Sequence, residues 1–341
     1  MKHTSITANK KRAITILLLS PIFICLVILI SMLLGTKQIP YSTILDSFIH
    51  FDQDNADHHI ITYSRFPRAI GAFLIGVFLA IAGSLMQGMT RNYLASPSIM
   101  GVTAGSGFII TICIVFFPGS GSFSLIIYSL IGSLLGVIIV FGLASVISNG
   151  FHPVRLAIIG TIIGTFLSSL SSALAIYFKV TQQVSFWYNA RLHQLDPALI
   201  KLSIPFAIIG IGLAILVSKS VTIISLGEEI AVGLGEKTFK AKILVIISVS
   251  ILTGISVALA GGIAFFVGLM IPHITRYLIG SDYRLIVPVS GVLGGLFLTL
   301  ADVGSRFLNY PFETPISVVT SIIGVPFFLY LIKKKGGKRY A

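Results

Sequence analysis

Apolar runs long enough to cross a bilayer recur from residue 13 almost to the C-terminus. In hydrocarbon every backbone N–H and C=O must find a partner within the protein, so such runs fold as helices, each needing about 20 residues to cross. They lie at residues 13–35, 67–88, 98–117, 123–145, 156–178, 198–219, 241–262, 264–280, 285–304 and 314–332. The pattern predicts an all-α polytopic membrane protein with about ten transmembrane helices in a single transmembrane domain, residues 1–341. Nothing between the runs is long enough for a globular domain. Composition agrees at 55% hydrophobic and 10% charged, where soluble domains carry about 25% charged residues. The leader Met1–Arg12 is basic, but the run after it is too long for a signal-peptide core and shows no clear cleavage site, so it reads as the first span. The run at 264–280 is interrupted by Pro272 and His273 and is either a short crossing or a broken, re-entrant element.

The formal net charge is +13, from 24 basic and 11 acidic side chains. The bases sit in short connections and tails, with no basic groove interleaved with aromatics, so no nucleic-acid partner is expected. In a ten-span chain seventeen of the 24 fall on one side; Lys37, Arg65, Arg68, Lys179, Arg191, Lys201 and Arg306 make up the other seven. The positive-inside bias then puts the N- and C-termini in the cytoplasm. Cys25 and Cys113 lie inside apolar runs, which gives neither a disulfide framework nor metal-ligand spacing. Gly235-Glu236-Lys237-Thr238 lacks the upstream glycine and spacing of a phosphate loop, so any ATP is hydrolysed on another polypeptide. No catalytic residue, metal site or bound cofactor is expected.

Several polar constellations need explaining. Between the sixth and seventh spans, residues 225–236 place Leu226, Ile230 and Leu234 four apart, with Gly227, Glu228, Glu229 and Ala231 among them. This is a short amphipathic cytoplasmic helix that either offers an apolar knob to a partner or lies in the lipid interface. In Arg65-Phe66-Pro67-Arg68 the proline suits a helix start, whereas two cations oppose the N-terminal macrodipole. Lipid phosphate or an acidic partner surface would account for them. Asp302 and Arg306 stand four apart on one helix face, with Glu313 near, as an internal pair or as part of a site. Gln87 precedes a tight polar return at Arg91, Asn92 and Pro97, where Arg91 and Asn92 can cap helix carbonyls. Pro272-His273-Ile274-Thr275-Arg276 reads as a helix break with His273 and Arg276 tied to nearby carbonyls; His273 has no second ligand at metal spacing. Ser168, Ser169, Ser171 and Ser172 either satisfy their own helix or face a solute. Gly101/Gly105, Gly132/Gly136, Gly160/Gly164 and Gly291/Gly294/Gly295 have the spacing of closely packed helices.

Together these stretches resemble the permease subunits of bacterial binding-protein-dependent ABC importers for iron–siderophore complexes, haem and vitamin B12. The likeness covers roughly residues 60–335, through Arg65–Arg68, Ala80–Gln87, Arg91–Pro97, Leu226–Ala231, Phe266–Arg276, Glu313–Pro315 and Ile323–Phe328. It implies alternating access in the cell membrane, driven by ATP and Mg2+ on separate cytoplasmic ABC ATPase subunits. A second copy of the permease or a homologous one completes the path. Leu226, Gly227, Glu228, Glu229, Ile230 and Ala231 would couple to the ATPase. Arg65, Arg68 and Arg306 would receive acidic groups of an external substrate-binding lipoprotein, and Gln87 with Ser168, Ser169, Ser171 and Ser172 would be candidates to line the path. The cargo implied first is an iron–siderophore complex, with haem or vitamin B12 as alternatives. Tyr93 stands where the family has proline, and Trp187–Arg191 departs from a glycine-containing stretch. An ion-coupled transporter is the competing class, and the scarcity of midplane charges argues against it; a membrane enzyme would need a polar site around His273.

Overall fold

A computed structural model describes the backbone of residues 2–336 apart from 36, 38, 149, 189–191, 193–194, 262–264 and 310–311. Arg191, Lys338 and Arg339 of the charge count lie outside these residues, as does the 189–191 part of the Trp187–Arg191 stretch. Among the described residues each expected span is a helix: α1 (Lys2–Leu33), α4 (Phe66–Thr90), α5 (Val102–Phe116), α6 (Ser122–Val146), α7 (Pro153–Tyr177), α9 (Pro197–Ile224), α11 (Thr238–Ala260), α12 (Phe265–Ile279), α13 (Tyr283–Ser305) and α14 (Ile316–Gly336). Short helices α2 (Tyr41–Ile49), α3 (Ala56–Ile60), α8 (Thr181–Tyr188) and α10 (Glu228–Gly233) lie between them. Seven of the apolar helices are long enough to cross a bilayer and three, α5, α12 and α14, are shorter.

α4, α11 and α13 form the inside. Of their most apolar windows 78%, 72% and 67% is buried, against 17% for α1 and 28% for α7, so the outer helices keep broad apolar faces. Small residues let the inner backbones approach, as their spacing predicts. A Cβ on Gly105 of α5 would stand 2.3 Å from the Gly132 carbonyl oxygen of α6, and one on Gly132 would stand 2.4 Å from that of Gly105. Hydroxyls then join helices across the gaps: Ser129 of α6 donates to Gly254 O at 2.6 Å, and Ser133 to Ser250 O at 2.8 Å, both on α11.

Two elements differ from the sequence expectation. The helix containing Pro67 does not begin there, because α3 and a π-helical turn over Ile61–Arg65 run directly into α4. In that turn Phe66 N–H reaches back to Ile61 O. Proline has no N–H to give, so a locally widened turn loses less here than elsewhere. The result is one 35-residue helix, Ala56–Thr90. Pro272, in turn, does not break α12, which continues through it for 15 residues, roughly 22 Å. Its Gly268 faces Leu79 and Gly83 of α4.

Gly105→Ile is expected to lower the thermal unfolding midpoint in detergent, at a cost of about 1–3 kcal/mol for overpacking. Gly142→Ile, at a position with open space around it, serves as the control and should leave the midpoint unchanged.

Candidate functional site

Where α1 ends, three arginines meet. The last carbonyls of a helix lack intrahelical donors and carry the negative end of its dipole, so cations are favoured there. Arg65 Nη1 donates to Met32 O at 2.6 Å and Leu33 O at 3.2 Å, and Nη2 donates to Lys37 O. Arg306 Nη1 donates to Ser31 O and Leu34 O, each at 2.6 Å. Its Nη2 reaches Ser31 Oγ at 2.9 Å and Asp302 Oδ2 at 2.5 Å. Arg68 takes the same carboxylate bidentately, Nε to Oδ2 at 2.9 Å and Nη2 to Oδ1 at 2.8 Å, and places Nη1 2.7 Å from Glu313 Oε1. The internal Asp302–Arg306 pair with Glu313 nearby is thus present. Arg65, Arg68 and Arg306, the arginines that the resemblance assigns to a binding protein, are 6%, 6% and 3% exposed. A helix terminus and a buried carboxylate inside the chain supply anionic partners for the two cations at the helix start.

Gln87 of α4, the path candidate, is fully buried and faces α12. Pro272 has no N–H for the carbonyl four residues earlier, that of Gly268. Gln87 Nε2 supplies the missing donor, at 3.4 Å to Gly268 O and 3.1 Å to Leu269 O. Its Oε1 accepts from Arg276 Nη2 at 2.6 Å. Arg276 therefore binds a side chain rather than a carbonyl, and its guanidinium lies 4.4 Å from the centre of the Tyr93 ring. His273 is edge-on to Tyr93 and Phe327, with ring centres 6.3 and 5.9 Å away.

The opposite end of the bundle holds residues 225–236. α10 starts after Gly227, whose φ of 135° is open to glycine alone, and buries Ala231 against Ile224 and Ala241. Around that buried point Leu226, Ile230 and Leu234 are 60%, 52% and 65% exposed, as the four-residue spacing predicts. Glu229 is exposed, and Glu228 pairs with Lys242 at 2.5 Å. Close by, Asp282 caps α13; the Arg284 side chain, with the Arg284 N–H and Thr222, holds its carboxyl below the usual carboxylate range.

Arg91 ends α4 in the left-handed conformation, φ 52°, through its backbone N–H to Gly88 O. Asn92 Oδ1 accepts from Leu94 N–H, and Pro97 O accepts from Val102 N–H. These are local turn bonds, so Asn92 caps no helix carbonyl. Arg91, Asn92, Tyr93, His273 and Phe328 help line a cavity of about 1190 Å3 beside Thr161 of α7. On α7, Ser168, Ser169 and Ser172 are exposed, whereas Ser171 is buried and donates to Leu167 O at 2.9 Å. Among the described residues no group of three or more His, Cys, Asp or Glu could hold a metal ion.

Ten apolar helices, inner ones joined by glycines and side-chain bonds and outer ones apolar toward their surroundings, define a multi-pass membrane protein. The FecCD transport family matches residues 22–334. The chain belongs to that family. It is 60% identical to the iron-uptake system permease protein FeuB of Bacillus subtilis (strain 168), over 95% of this chain and 97% of that one. With the iron(3+)-hydroxamate import system permease protein FhuB of the same organism it shares 42% identity, over 96% and 85%. Among solved structures, a metal-chelate type ABC transporter in an inward-facing conformation superposes with a TM-score of 0.79 at 27% identity, covering 94% of this chain and 99% of that one.

Removing one partner of a buried ion pair costs about 3–5 kcal/mol because the other charge is stranded. Asp302→Ala should therefore destabilise the detergent-solubilised protein by that order, and a joint Asp302→Leu/Arg68→Met/Arg306→Met variant by clearly less, read as unfolding midpoints. Gln87→Leu strands a guanidinium and two carbonyls, and an unfolding midpoint equal to that of the parent chain would refute the role assigned to its amide.

Proposed function

We propose that this chain is the permease subunit of an ABC importer that carries an iron–siderophore complex across the bacterial cell membrane. The relatives named for iron uptake and hydroxamate import, together with the metal-chelate transporter fold, support that cargo class ahead of haem or vitamin B12. The Leu226 end and both termini are cytoplasmic in this reading, which the distribution of bases supports, and the Arg68 end is external. The observation that carries the proposal is the apolar edge of residues 226–234, left open around a buried Ala231. A separate ATP-hydrolysing subunit with a complementary cleft covers it.

The mechanism follows from how α10 is held. Ala231 packs on Ile224 of α9 and Ala241 of α11, and Glu228 holds Lys242 of α11, so a pull on α10 is a pull on both helices. Two permeases, identical or homologous, line the path together. The exposed Ser168, Ser169 and Ser172 of α7 give that path weakly polar walls that pass a bulky chelate without trapping it. An external substrate-binding lipoprotein delivers the cargo at the Arg68 end. No bond in the cargo is altered.

Leu226→Asp and Ile230→Asp, each reconstituted with the ATPase subunits and the loaded binding protein, are expected to lose at least about tenfold in cargo-stimulated ATP hydrolysis, about 1.4 kcal/mol of coupling. Their unfolding midpoints should be unchanged. Stimulated hydrolysis equal to that of the parent chain would remove the docking assignment, and uptake of haem or cobalamin but of no ferric siderophore would remove the cargo class.

A further inference from the structure

The segment between α1 and α3 carries an exposed apolar face that transport does not account for. On α2, Tyr41, Leu45, Phe48 and Ile49 recur at i, i+4, i+7 and i+8, which puts them on one side of the helix. They are 68%, 53%, 51% and 69% exposed. The adjoining inner side is fixed: Ile44 joins Met32, Ile39 and Ile61 in a small core, with Ile28 and Leu33 against it. Asp46 and Ser42 form a polar edge next to the apolar face. Nine residues are too few to cross a bilayer, so α2 lies on the bundle.

Its height is set by its contacts. Met32 belongs to the last turn of α1, and the Arg65 guanidinium at the base of the π turn bonds the carbonyls of that same turn. The Phe48 ring packs edge-on against Phe66, at 5.3 Å, where the regular α4 helix begins. The α2 face is therefore level with the ends of two membrane-spanning helices. Leu26 and Leu29 of α1, and Leu34 just after it, are also exposed apolar side chains. Tyr63, Phe51 and Phe66 add partly exposed rings at the same level, while Asp46, Asp52 and Asp54 stand exposed on the polar side. Amphipathic rings and a side-lying apolar helix are what the boundary between headgroups and acyl chains accepts.

We propose that α2 is an interfacial anchor, with Tyr41, Leu45, Phe48 and Ile49 seated in the headgroup–acyl boundary of the bilayer at the Arg68 end. The occupant of this face is phospholipid. It fixes the depth of the α1 and α4 termini relative to the membrane.

The chain has one tryptophan, Trp187, so a Trp187→Phe background allows a single reporter to be placed. In full-length protein reconstituted into phosphatidylcholine–phosphatidylglycerol vesicles, Phe48→Trp and Ile49→Trp should be quenched severalfold more by lipids brominated near the headgroup than by aqueous iodide. Asp54→Trp should show the reverse. Two reporters on one face keep the test valid if either substitution disturbs folding. Iodide quenching at 48 and 49 equal to that at 54 would overturn the proposal. So would iodide quenching that disappears on adding the substrate-binding protein, which would give the face to a protein partner, or shielding from both quenchers, which would give it to a second copy of the chain.

Discussion

A single carboxylate organises one end of this bundle. A charge in a membrane protein is tolerated when its partners are fixed beside it, and Asp302 has two, the bidentate fork of Arg68 and the nearer Nη of Arg306. Each arginine is thereby pinned on one side and free to reach on the other. Arg306 reaches the terminal carbonyls of α1, and Arg68 reaches Glu313 just before α14. Four helices, α1, α4, α13 and α14, thus take their relative heights from one buried acid, and Arg65 closes the remaining carbonyls of α1.

Deeper in the bundle the donors to backbone carbonyls are uncharged. Side chains reach backbone carbonyls of the adjacent helix: the Gln87 amide reaches the one that Pro272 leaves open, and the Ser129 and Ser133 hydroxyls add bonds to Gly254 and Ser250 of α11. Inner helices therefore carry glutamine, serine and glycine where outer ones are free to carry leucine and isoleucine. The polar residues of α4 and α6 serve cohesion first.

Periodicity and length made the architecture legible. The ten runs, the glycine pairs of α5 and α6 and the exposed spacing of Leu226, Ile230 and Leu234 are local signals that hydrocarbon or water reads directly. The roles of Gln87, Arg65 and Arg68 were not legible, because each is decided by a partner more than 25 positions away in the chain: Gly268 for Gln87, Met32 for Arg65 and Asp302 for Arg68. A signal did exist for all three. Two cations at a helix start demand an anion, and a proline inside a buried helix demands a donor. Sequence states such demands without saying which residue meets them. α2 was missed for another reason: at nine residues it falls below any span criterion, and its four exposed apolar side chains make sense only once its height is known.

The helix that runs unbroken from Ala56 to Thr90 is about 52 Å long, against a hydrocarbon core of about 30 Å. It is a strut longer than the barrier it crosses, with its two ends in different aqueous phases. At one end its π turn, Ile61–Arg65, is bound by Arg65 to the last turn of α1, and at the other the Arg91 guanidinium lies beside Gly227, so a single rod joins the Arg68 end of the bundle to the turn that precedes α10.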